Sequence, residues 1–219
     1  MIKIYKGNLF SSSCQTIVNA VNCVGVMGAG IALEFRLRYP KMFKRYKKYC
    51  NDKLMKPGSL WLYKFNDKRW ILNFPSKKHW RYPSKIEYLE MGLEKFVKTY
   101  KDKGITSIAF PLLGSDRGGI EPDKSKEIII KYLSNCDILI EIFEYDVNII
   151  DEDFNNFKKE CVSLGFDGLV NNFGLNQQQA KIFSKSIISS KINNLSRLCD
   201  ENGLGIKTIE KIVKKSQTY

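Results

Sequence analysis

Two short apolar runs in this chain each end in a glycine-rich loop that leads into a helix-like segment. That pairing constrains the fold more than any other feature. The run "QTIVNAVN" passes into "VNCVGVMGAGIALEF", where nearly every side chain from Val21 to Ile31 is small or aliphatic and glycine stands at 25, 28 and 30. The run "ITSIAFPLLG" passes into "GSDRGGI" at 114–120 and then into "EPDKSKEIIIKYLSN", a helix pattern with Pro122 in its first turn. Glycine lets a backbone come close to an anion, and a helix start supplies N–H donors and a favourable dipole. Two such loops after two buried strands fit a phosphate-bearing ligand beyond the carboxyl ends of a sheet. The first loop has no Walker lysine and does not follow the G-x-G-x-x-G order, so generic nucleotide loops are excluded.

The remaining segments fall into place around these two. "IKIYKGNLF" opens as a strand and turns at Gly7-Asn8, "SLWLYKF" and "RWILNFP" read as a hairpin, and "DILIEIFEY" is a last strand. "AGIALEFRLRYP" is a helix that Pro40 ends at Tyr39, and "PKMFKRYKKYCND" is a strongly basic one. "PSKIEYLEMGLEKFVKTYKDKG" reads as a helix with Ser84 as N-cap, Glu87 at the capping-box position and Gly104 as stop. Strands alternating with helices predict an α/β sheet with helices on both faces. After about residue 150 only helix-like segments follow, so a boundary is expected near Asp151, with one domain over 1–150 and a small all-α segment over 151–219. In "LSRLCDENGLGIKTIEKIVKK", Cys199, Gly203 and Ile209 fall at the small, glycine and aliphatic positions of a helix-turn-helix. Its second helix carries Lys207, Lys211, Lys214 and Lys215, a pattern shared by many plain helical hairpins.

Charge is uneven along the 219 residues. Positions 1–150 hold 26 Lys and Arg against 15 Asp and Glu, whereas 151–219 hold 10 against 8. A basic N-terminal part fits a polyanionic partner, nucleic acid before membrane, although a lysine-rich soluble surface has the same composition. The six cysteines show no CxxC spacing and His79 is the lone histidine, so no metal or other cofactor is expected. Free thiols fit a reducing compartment. With no apolar run near ~18 residues and no signal-peptide core at the start, a soluble cytoplasmic protein is expected.

The blocks "IKIYKGNLF…QTIVNAVNCVGVMGAGIALEF", "ILNFPSKKHWRYPS" and "FPLLGSDRGGI" together resemble the macrodomain family over residues 1 to about 145. Within it they look most like the DNA ADP-ribosyl glycohydrolase antitoxins and the related terminal ADP-ribose protein glycohydrolase. The resemblance implies a three-layer α/β/α fold with a central mixed sheet and ADP-ribose in a cleft above it. Gly28, Ala29, Gly30 and Ile31 match the first phosphate loop. Gly114, Ser115, Arg117, Gly118, Gly119 and Ile120 match the second, with adjacent glycines that permit a concave run of N–H donors. Related antitoxins usually carry Cys-Gly-Asn where Ser115-Asp116-Arg117 stand here. Asn8 stands where many macrodomains place an aspartate that accepts from the adenine amino group, a bond its amide oxygen can also accept, and Leu9 would add backbone contacts. Asn22 matches the asparagine at the distal ribose, with closure of a backbone turn as its ordinary alternative.

Lys77 in "NFPSKKHW" matches the family lysine that acts at the anomeric carbon. Hydrolysis there needs a group that stabilises or captures an oxocarbenium-like centre, and a lysine beside the cationic Lys78 is expected to have a depressed pKa. Lys78 is the rival for that role. The protein-directed relative places an aspartate where Gly118 stands, which favours the DNA-directed branch. Lys78, His79, Trp80 and Arg81 interleave charge with aromatic rings, a pattern suited to bases of single-stranded DNA, with core packing of Trp80 as the alternative. The implied function is removal of ADP-ribose from a thymidine-type base, in an antitoxin or counter-defence role with a cognate toxin as a further partner. The alternatives are a non-catalytic ADP-ribose-binding module and an enzyme for small ADP-ribose derivatives such as ADP-ribose-1″-phosphate or O-acetyl-ADP-ribose.

Overall fold

The computed structural model describes residues 1–219 apart from Val147, Ile150, Gln217 and Tyr219. It divides into two compact units. The first comprises Met1–Met27 with Pro40–Ile149, and the second Gly28–Tyr39 with Ile150–Tyr219. The helix after the first glycine loop therefore clusters with the C-terminal residues, whereas the sequence reading places it within 1–150. Ile150, at the expected boundary, lies outside the described residues.

The first unit is built on a six-stranded sheet in the order β1-β6-β5-β2-β4-β3. Its strands are β1 (Ile2–Gly7), β2 (Thr16–Val21), β3 (Trp61–Lys64), β4 (Trp70–Pro75), β5 (Ser107–Pro111) and β6 (Leu139–Tyr145). All neighbours run parallel except β3, which pairs antiparallel with β4 as the expected hairpin. Along β2 and β4 successive side chains alternate between the two faces. One face presents Val18, Leu72 and Phe74 to a core shared with Leu89, Leu93, Phe96, Ile129 and Leu133. Those partners come from helices α3 (Ile86–Thr99) and α4 (Pro122–Leu133). The other face carries Asn19 and Asn73, opposite one another in the register, where Asn19 Nδ2 donates to Asn73 Oδ1 at 3.0 Å. The basic helix α2 (Pro40–Asn51) buries Met42, Tyr46 and Cys50, one turn apart, and leaves Lys41, Lys44, Arg45, Lys47 and Lys48 exposed.

Register fixes where the parallel strands stop. Val21 pairs with Pro75, Pro111 with Phe143, and Gly7 with Tyr145. The carboxyl ends of β1, β2, β4 and β5 consequently open onto one edge, and the loops that leave them begin at Asn8, Asn22, Ser76 and Leu112.

In one respect the sequence misplaces a helix start. Lys85, not Ser84, occupies the N-cap of α3 and makes no side-chain capping bond, so the Ser84–Glu87 capping box is absent. Ser84 is held outside the helix because its N–H donates to Gly118 O at 2.9 Å.

The second unit consists of helices α1 (Gly30–Arg38), α5 (Glu152–Asn171, kinked at Gly165), α6 (Gln177–Ile187), α7 (Leu195–Cys199) and α8 (Ile206–Lys215). Leu33 and Leu37 of α1 share its core with Phe157, Phe183, Leu198 and Ile212. Polar clasps reinforce this packing. Arg38, with its side chain only 2% exposed, pairs with Glu34, Asp151 and Asp153. Glu34 also accepts the Ser196 N–H at 2.6 Å, which satisfies an end of α7. Within the helix-turn-helix pattern, α7 is just over one turn long and Gly203 takes the left-handed conformation. Lys211 and Lys215 are turned back onto the carbonyls of Gly174 and Asn172, beyond the end of α5. They serve as C-terminal caps of that helix, a role favoured by its dipole. Among the described residues no helix is long and apolar enough to cross a membrane.

Candidate functional site

The open edge of the sheet in the first unit gathers the candidate residues that follow its strands. Lys77 lies two residues past β4, where its N–H donates to Val21 O at 3.3 Å and its carbonyl accepts from Cys23 Sγ at 3.3 Å. These bonds tie the stem of the lysine to the end of the neighbouring strand β2. Its Nζ donates to the backbone carbonyl of Arg117, in the loop beyond β5. Burial pushes the Lys77 ammonium below the usual lysine range and the nearby Arg117 guanidinium adds to this, while Asp116 opposes it. The cationic neighbour that matters is therefore Arg117 rather than Lys78, whose side chain lies exposed. Of the two adjacent lysines, it is Lys77 that reaches the glycine loop.

That loop is a set of tight turns. Ser115 N–H donates to Leu112 O, Gly118 N–H to Ser115 O, Gly119 N–H to Asp116 O and Ile120 N–H to Gly114 O, at 2.9–3.4 Å. Four of the amides expected to form an anion-binding concavity thus donate within the loop itself in this conformation. Gly114 and Gly119 have φ of 70° and 77°, which β-carbon sterics disfavour in other residues. Asp116 also has positive φ, at 48°, with its carboxylate in solvent. Gly118 is glycine for a different reason: a β-carbon on it would stand 2.6 Å from Ser84 Oγ.

Asn22 is committed to its own turn. Its Oδ1 accepts from Val24 N–H at 3.0 Å and Val26 N–H at 3.3 Å, and its Nδ2 donates to Val26 O. The Tyr46 hydroxyl donates to Asn22 O at 2.7 Å. Such bonding is what a turn-closing asparagine shows. Asn8 likewise accepts from Phe10 N–H and caps a short 3₁₀ turn that contains the buried Leu9.

Past Lys77 the chain carries an exposed ring cluster. His79 stacks on Trp80 with centroids 5.7 Å apart, Tyr82 leans on His79 at 5.3 Å, and the Arg81 guanidinium lies 4.8 Å above Trp80. Trp80 is 48% exposed and Tyr82 64%, so neither is a core residue. Arg81 N–H donates to His79 Nδ1 at 3.2 Å, which fixes that nitrogen as an acceptor.

Gly28, Ala29, Gly30 and Ile31 start α1 and belong to the second unit. Ala29 is the N-cap, without a side-chain bond, and its carbonyl accepts from Leu33 N–H at 3.3 Å. Sequence reasoning reads Ser84 as a helix cap from its position and so misses its contact with the glycine loop. Among the described residues no group of three or more His, Cys, Asp or Glu side chains is arranged to hold a metal ion.

A mixed, mostly parallel sheet with a lysine and a glycine loop beyond the two strands that flank β2 defines the class, and comparison with known proteins defines the family. The macro domain model matches residues 18–129, and the chain belongs to that family. Among characterised relatives, the DNA ADP-ribosyl glycohydrolase of Mycobacterium tuberculosis is 41% identical over 124 residues, covering 55% of this chain and 35% of that protein. The enzyme of the same name from Thermus aquaticus is 36% identical over 149 residues, covering 67% of this chain and 41% of that protein. The chain thus spans less than half the length of these relatives. Among solved structures, Thermosipho africanus DarTG in complex with ADP-ribose superposes with a TM-score of 0.63 at 32% identity, over 67% of this chain and 42% of that one.

Proposed function

We propose that the protein is an ADP-ribosyl glycohydrolase that removes ADP-ribose from a modified base in DNA. The observation that carries this reading is Lys77, partly buried at the end of β4 with its amine on the loop beyond β5, in a chain similar to proteins named for that activity.

In this reading the diphosphate sits against the glycine loop beyond β5, and the distal ribose presents its anomeric carbon to Lys77. A depressed pKa raises the neutral fraction of the amine near neutral pH. The glycosidic bond to the base nitrogen breaks with its electron pair leaving on the base, which takes up a proton. The Lys77 lone pair captures the oxocarbenium-like carbon, and water then displaces the amine to give free ADP-ribose. Asn22 and Asn8 shape the loops around the ribose and adenine ends, and Arg117 adds charge for the diphosphate. His79, Trp80 and Arg81 stack on bases of the single strand while exposed lysines of α2 track its phosphates. An antitoxin role with a cognate toxin belongs to the same proposal.

The test is release of free ADP-ribose from a single-stranded oligonucleotide bearing ADP-ribosylated thymidine, with Lys77→Ala beside the unaltered protein.

A further inference from the structure

We infer that Ser84 is a positioning residue for the Lys77 amine, an inference that rests on the reading of Lys77 given above. Four observations lead to it. The Ser84 hydroxyl is buried and has no hydrogen-bond partner among the described residues, a state that most buried polar groups avoid. It does not cap α3, whose N-cap is Lys85. Its backbone is pinned to the loop by the bond from Ser84 N–H to Gly118 O. Finally, the β-carbon that Gly118 lacks would lie 2.6 Å from Ser84 Oγ and 3.7 Å from Lys77 Cε, so both side chains occupy the space this glycine leaves clear.

The chemistry of an amine nucleophile gives that hydroxyl a task. A neutral lysine amine has two N–H bonds and one lone pair, and the lone pair points at the reacting carbon only if both N–H bonds are held. Arg117 O already takes one of them. Ser84 Oγ, over the same glycine and unbonded in this conformation, becomes the second acceptor when the amine turns its lone pair toward the reacting carbon. The arrangement also accounts for a hydroxyl kept where alanine would pack as well. A serine of purely structural use there leaves a buried group unsatisfied, so its replacement by alanine would be neutral or stabilising.

The experiment follows ADP-ribose release from the modified oligonucleotide for the full chain, Ser84→Ala and Lys77→Ala. ADP-ribose affinity by calorimetry and Tm are read on each variant. Ser84→Ala is expected to lose about ten- to a hundredfold in kcat, the scale of a misaligned reacting group. Its KM and ADP-ribose affinity are expected to stay within about twofold, with Tm unchanged or higher. A Ser84→Ala protein with full kcat beside an inactive Lys77→Ala overturns the inference and leaves the reading of Lys77 standing. Full activity in Lys77→Ala overturns both. Parallel loss of ADP-ribose binding and Tm in Ser84→Ala assigns the serine to the loop's stability and overturns the positioning role.

Discussion

Lys77 donates its Nζ hydrogen to the backbone carbonyl of Arg117, which joins the end of β4 to the glycine loop beyond β5. The bond places an amine shifted downward by burial at the edge where the parallel strands end.

The shift sets the direction of the pH dependence. Because the folded protein lowers the pKa of Lys77, its neutral, nucleophilic form grows in at a lower pH than for a free lysine, whose value is about 10.4. Single-turnover release should rise with pH and level off below that value. Arg117→Ala removes the smaller of the two contributions that lower the pKa and should move the rising limb to higher pH. A profile still climbing at pH 10.5 in the unaltered protein would speak against a depressed amine.

Two adjacent glycines in the loop should fail differently. Gly118→Ala drives a methyl group into Ser84 Oγ and should cost about 1–3 kcal/mol of stability, the scale of overpacking. Gly119→Ala meets no atom within 4 Å but carries φ of 77°, so it should cost about 1–2 kcal/mol through backbone strain alone. Urea titrations measure both. Only Gly118→Ala should lower the rate more than its stability loss explains, because it displaces Ser84.

Trp80→Ala should weaken binding of the modified oligonucleotide by about 1–3 kcal/mol, the size of one stacking platform, and leave ADP-ribose affinity unchanged. Oligonucleotide affinity should also fall steeply from 50 to 200 mM salt as phosphate contacts are screened. Fluorescence anisotropy reads both effects. Equal loss of ADP-ribose binding in Trp80→Ala would place the ring in the nucleotide site instead.

In the second unit, Arg38→Ala strips the shared cation from the buried Glu34 and Asp151 and should destabilise that unit by about 3–5 kcal/mol. Thermal unfolding followed by circular dichroism would show it as a lowered transition.

Much of the fold was legible because it depends on local pattern. The apolar strand runs, the β3–β4 hairpin at Asn66-Asp67 and the Pro122 helix start all appear where the sequence puts them. The grouping of α1 was not legible, because Glu34 and Arg38 look like surface charges until Asp151 and Ser196, more than 100 residues later, are brought to them. For the candidate site, the sequence singles out a lysine and glycines, and the structure adds the groups they touch. Ser84 looked like a cap since serine before a helix usually is one. Only the bond to Gly118 O shows why it lies one residue outside.

The most direct test of the central claim is free ADP-ribose released from a single-stranded oligonucleotide carrying ADP-ribosylated thymidine, by the unaltered protein and by Lys77→Ala. Release by the first and none by the second, with ADP-ribose binding retained in both, is the predicted result. Equal release by both, or tight ADP-ribose binding with no release by either, would contradict it.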